Sequence, residues 1–133
     1  MKSSGLKPRL IAPEGPKRTQ AGLAFASEIM SDANRPTAVI AYGADAGGAA
    51  FMLAARDMGL KVPKDLSVIT FDDEPVRALQ MPVATMTVPV YDVGTNAVSV
   101  LLKKLASPKQ SLKPVVLTFG FTAGDTIAKA PKG

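Results

Sequence analysis

The acidic pair Asp72 and Asp73 closes a nearly unbroken apolar run over residues 66–71, Leu-Ser-Val-Ile-Thr-Phe, and Pro75 follows it. A run of that length, rich in β-branched residues, suits a strand buried on both faces, as in a parallel sheet covered by helices. Pro75 bars further ladder pairing. Ligands of open parallel sheets bind beyond the carboxyl ends of the strands. Two carboxylates there are placed to meet a small polar molecule. The alternative is structural: one Asp caps the short helix that follows and the other is solvated. Asp45 holds a comparable place after the apolar run 37–42, where it is positioned to N-cap the next helix. Gly47 and Gly48 come next; they disfavour a helix but permit close approach of another backbone or a ligand.

Composition excludes several other chemistries. The chain has 133 residues with no cysteine and no histidine. Disulfide scaffolds, thiolate metal sites, thiol nucleophiles, zinc sites and hydrolase triads built on imidazole are all unavailable. Acid pairs at strand ends also serve phosphoryl-transfer receivers, which need a Lys at the end of the last strand. Here that strand ends Phe119-Gly-Phe121, and the pair lies on the middle strand. Gly43-Ala-Asp-Ala-Gly-Gly48 lacks the Lys of a phosphate cradle. No catalytic residue, metal ligand or cofactor site is expected, and the chain is not expected to be an enzyme. The net charge is +5, but the basic residues are dispersed and the chain has two Tyr and no Trp, so the pattern is that of solvated surface rather than a nucleic-acid interface.

The elements that must position these carboxylates alternate along the chain. A first strand is predicted over 6–12, weakened by Pro8, then a helix over 20–31 with Leu23, Ala26, Ile29 and Met30 on one face. A second strand covers 37–42. The helix from Asp45 to about Met58 buries Phe51, Met52, Ala55 and Met58 and stops at Gly59. The central strand at 66–71, a short helix near 76–80 and a strand over 84–88 follow. The clearest amphipathic helix spans 91–106, with Ala97, Val98, Leu101, Leu102 and Leu105 on its apolar face and Lys103 and Lys104 in its last turn. A fifth strand over 114–121 precedes a tail of increasing polarity. Alternation of this kind specifies right-handed βαβ units. The expected fold is α/β, a three-layer sandwich with helices on both faces of a mostly parallel five-stranded sheet, all in one domain.

Three pieces stand in one order and spacing: Pro36-Thr-Ala-Val-Ile-Ala, Gly59-Leu-Lys-Val-Pro-Lys-Asp-Leu-Ser-Val-Ile-Thr-Phe-Asp-Asp, and Pro82-Val-Ala-Thr-Met-Thr-Val-Pro followed by Gly94. Together they closely resemble the sensor domain of LacI/GalR-family bacterial transcription regulators, a fold shared with periplasmic sugar-binding proteins. The resemblance covers about residues 10–128. It implies an N-terminal helix-turn-helix, a hinge, and two α/β lobes that close around an effector, usually a sugar or nucleobase. Effector binding then shifts DNA affinity. Residues 1–133 match only the C-terminal lobe; the DNA-binding domain and the first lobe are absent from this chain. It is therefore expected to reach operator DNA only through a missing helix-turn-helix.

The resemblance carries over residue by residue, with departures. Asp72 matches a common effector ligand that accepts hydrogen bonds from hydroxyl or amino groups. Asp45 fits the Asp of an Asn-Asp pair, but Ala44 stands where the Asn would donate and accept. Lys17 falls where several members place a stacking aromatic, and Val90 where some have another pocket aromatic. Gly124 precedes Asp125 and Thr126 where members often carry Arg before Asp-Ser. Lys17 in place of a ring has two readings: a partner for an anionic group on the effector, or a solvated loop residue. The resemblance also implies a homodimer formed through Phe51-Met-Leu-Ala-Ala55 and Val76-Arg-Ala-Leu-Gln-Met81, though both stretches would equally serve as internal core. A sugar-binding lobe of a transport receptor is the alternative function. It would need an export signal, and Met1-Lys-Ser-Ser-Gly-Leu lacks the apolar core of one. No apolar stretch reaches membrane-spanning length, so a cytoplasmic location is expected.

Overall fold

The run over 66–71 becomes the strand between two parallel neighbours. The computed structural model of the protein describes Arg9 and residues 22–42, 47–71 and 81–130. Strands β1 (Ala38–Tyr42), β2 (Ser67–Phe71), β3 (Ala84–Thr87) and β4 (Gly120–Thr122) form one sheet in that spatial order. β1 and β2 pair in parallel, as do β2 and β3, whereas β4 runs antiparallel to β3. Among the described residues the sheet is thus four-stranded and mixed, not five-stranded and mostly parallel.

Two differences account for this correction. The strand predicted over 6–12 lies, Arg9 apart, outside the described residues. The run over 114–121 pairs only from Gly120 onward, and in the opposite direction to that expected. A parallel return requires a crossover packed on the sheet. Helix α3 (Val90–Ala106), which should provide it, has no buried residue. The chain therefore comes back beside β3 the short way.

Helices α1 (Gly22–Ser31) and α2 (Ala49–Asp57) pack on each other and on one face of the sheet. Their shared core holds Ala26, Met30, Met52, Ala54, Ala55, Leu66, Val68 and Val83. Alanine along α2 lets its axis approach both α1 and the strands. The predicted face of α2 needs adjustment: Met52 and Ala55 are buried, Phe51 is half-buried and Met58 is exposed. Gly59 ends the segment with φ +71, the left-handed geometry expected of a glycine stop. The opposite face of the sheet leaves Ile40 and Tyr42 exposed at 68% and 86%. The third layer that α3 was expected to build is not formed by it. Ala97, Val98, Leu101, Leu102 and Leu105, predicted as a buried stripe, are all exposed.

The tail after β4 is more than polar overhang. Thr126, fully buried, lies between the amino ends of β2 and β3. Its hydroxyl donates to the Val68 carbonyl at 2.7 Å and accepts from the Ala84 N–H at 2.9 Å. Its own carbonyl accepts from the Val68 N–H at 2.8 Å. The Asp125 N–H donates to the Pro82 carbonyl and the Ala128 N–H to Ser67 Oγ, so residues 125–128 strap the two strands together.

Candidate functional site

The parallel register sets where the strands deliver their loops. Tyr42 pairs with Phe71, and Phe71 with Met86, so β1, β2 and β3 reach their carboxyl ends side by side. Ala44 and Asp45 follow β1 after Gly43, and Asp72 comes directly after β2. Ala44, Asp45, Asp72 and Lys17 themselves lie outside the described residues. What the structure supplies is the edge at which β1 and β2 end together, each followed in sequence by an acidic stretch.

Glycines set how α2 meets that edge. The helix opens on a π-type turn at Gly47 and Gly48, with no side-chain cap at Gly48. Asp45, predicted as N-cap, lies outside the described residues. A Cβ on Gly47 would stand 2.7 Å from the Tyr42 carbonyl oxygen and 3.2 Å from Ala41 Cβ. A Cβ on Gly48 would collide with Thr70 Cγ2. Only residues without side chains let the first turn of α2 press this closely on the ends of β1 and β2. That sets the first described turn of α2 beside the same edge.

Aromatic rings run along it. The Tyr42 and Phe71 rings lie 6.3 Å apart, and Phe71 meets Phe119 edge-on at 5.9 Å. Edge-to-face packing of this kind is favourable beyond the area it buries. The sequence reading missed this row, although Tyr42 and Phe71 are the closing residues of the two runs it took for strands. Beneath it, Thr70 Oγ1 donates to Thr85 Oγ1 at 3.0 Å and Thr85 Oγ1 donates back to the Thr70 carbonyl. Val90, the first residue of α3, is 65% exposed and begins its helix just past β3. Of the five predicted site residues it alone is described. Among the described residues no cluster of acidic side chains could hold a metal ion.

A separate groove of about 550 Å³ runs between α3 and the segment after it, lined by Val93, Ala97, Val100, Leu112, Val115 and Leu117. It is apolar and involves none of the strand ends.

With this geometry in view, comparison with known proteins is informative. Residues 1–127 match the family model described as periplasmic binding protein-like domain. The ribose operon repressor of Haemophilus influenzae is 30% identical over 99 residues, which is 74% of this chain and 30% of that protein. The probable opine utilization operon repressor of Rhizobium rhizogenes is 38% identical over 91 residues, covering 63% of this chain and 45% of that one. The crystal structure of a LacI-family transcriptional regulatory protein from Corynebacterium glutamicum superposes with a TM-score of 0.70 at 26% identity, over 96% of this chain and 49% of that one. The chain spans less than half the length of each of these.

Proposed function

We propose, because the chain belongs to the periplasmic binding protein-like domain family, that it is the second, effector-binding lobe of a LacI/GalR-type transcription regulator. The observation that carries this reading is the register Tyr42↔Phe71, which brings the exits of β1 and β2 side by side where an open parallel sheet binds its ligand. Asp72 and Asp45 follow those exits and accept hydrogen bonds from effector hydroxyl or amino groups. Ala44 contributes no polar group. Val90 borders the pocket from the start of α3, and Lys17 pairs with an anionic group on the effector. The effector is a sugar or sugar derivative. Its differential affinity for open and closed lobes shifts the equilibrium between them and so changes operator affinity. DNA is read by a helix-turn-helix outside this chain, two copies pair, and the protein works in the cytoplasm as a regulator rather than as a transport lobe or an enzyme. The repressor names of the two relatives support this choice. No helix among the described residues is long and apolar enough to cross a membrane.

Titrating the isotope-labelled chain with neutral sugars and with their acidic and phosphorylated derivatives tests this. Half a cleft gives millimolar affinity, about −4 kcal/mol. The amide shifts of Tyr42 and Phe71 should move, and D72A should abolish the effect. K17A should weaken only the anionic ligands. Titrations that leave both amides still for every compound would remove the strand-end site. Equal affinities for neutral and anionic sugars would remove the role of Lys17 alone.

A further inference from the structure

The rings of the strand-end row take no part in the effector contacts proposed above, and the row begins at Tyr42. Tyr42 is the last residue of β1, and it is 86% exposed. The pleat accounts for its direction. Ala41 faces the helices at 5% exposure, so Tyr42 emerges on the other side of the sheet. Ile40 emerges there too, but two residues further from the carboxyl end. The Tyr42 ring is supported from the neighbouring strand. Phe71, its register partner, lies 6.3 Å away with the ring planes 36° apart, and Phe119 in turn meets Phe71 edge-on. The rest of the ring is open, at the edge where a parallel sheet takes its ligand.

We infer, resting on the strand-end site already proposed, that Tyr42 is a specificity-determining residue of that site. It selects a ligand with a flat C–H face, a ring-form sugar rather than an open-chain polyol. The face of an aromatic ring carries the negative side of its quadrupole and attracts the positive ends of C–H bonds. A pyranose gathers C–H bonds on one face while its hydroxyls project around the rim. One sugar can therefore lie on Tyr42 and still offer hydroxyls to Asp72, the residue directly after Phe71. Pockets of this kind combine an apolar or aromatic wall with a few placed polar groups. A tyrosine has only two side-chain torsions to fix, so the stack loses little entropy. An alditol brings the same kind of hydroxyls but no flat face, and gains nothing from the ring. Ile40 is set back along the strand and offers no flat surface in its place.

The chain has no Trp, and Tyr91 is its only other Tyr, so Tyr42 dominates the emission of a Y91F chain. Titrating that chain with methyl pyranosides of glucose, galactose and ribose, and with the matching alditols, reads the ring directly. A saturable change in emission is expected with at least one pyranoside. Its alditol should bind roughly three- to tenfold more weakly, the worth of one aromatic contact. Y42F should bind as the parent does. Y42A and Y42L, followed by the Phe71 amide, should lose the same factor; Y42L keeps an apolar side chain beside Phe71 and carries the test if Y42A does not fold. Suppose Y42A and Y42L keep the parent affinity while D72A abolishes binding, or pyranoside and alditol bind alike. The role of Tyr42 is then overturned and the strand-end site stands. If no pyranoside moves either the emission or the Phe71 amide, both are overturned.

Discussion

Thr126 shows how much one side chain can hold. Its hydroxyl is the acceptor for the Ala84 N–H and the donor to the Val68 carbonyl, at the point where β2 and β3 begin to pair. Thr126→Val keeps the shape and removes both bonds, leaving a buried N–H and a buried carbonyl short of a partner. A loss of about 1–3 kcal/mol in urea unfolding is expected, with Thr126→Ser far closer to the native chain. Gly48 makes the complementary point about space. Gly48→Ala drives its new methyl into Thr70 Cγ2 and should cost about 1–3 kcal/mol as an overpacked contact. Thr70→Ser removes that methyl while keeping the hydroxyl bond to Thr85, so G48A/T70S should recover most of the loss. A double-mutant cycle with no coupling between the two sites would contradict this contact.

At the scale of elements, α2 and α3 are both apolar on one side, yet only α2 is packed. Met52 sits in the core at 6% exposure, and Met52→Ala should cost about 2–5 kcal/mol. α3 buries no residue among those described, and most helical stability in proteins comes from packing an amphipathic face. Its amides should exchange with solvent roughly a hundredfold faster than those of α2. Similar rates in the two helices would mean that α3 is packed as firmly as α2. β4 belongs to the same account. With α3 unpacked, the chain has no crossover to carry it to a parallel position, and it closes antiparallel on β3.

For the whole molecule, the body is a parallel core of three strands with two helices on one face, and an arm of α3 and its following segment joined to it through β3 and β4. A ligand that binds only the folded lobe must stabilise it. Effector at ten times its Kd should add about 1.4 kcal/mol, roughly 5 °C in Tm for a chain of this size, and D72A should remove the shift.

The sequence by itself determined the local elements near their observed bounds: α1, β1, β2, β3 and α3, the stop at Gly59, and the two glycines at the start of α2. Periodicity, propensity and capping are local, so they can be read from neighbours along the chain. It also determined that the acidic residues follow parallel strands, because an apolar run ending in Asp-Asp announces both the strand and its end. Only the tertiary structure decided which apolar faces are covered. The stripe on α3 has the same spacing whether it meets a sheet, a second copy or water, since a hydrophobic pattern names a face and not its partner. The direction of β4 and the insertion of Thr126 were equally out of reach. Both depend on residues more than thirty positions apart meeting in space, and no local pattern encodes that encounter.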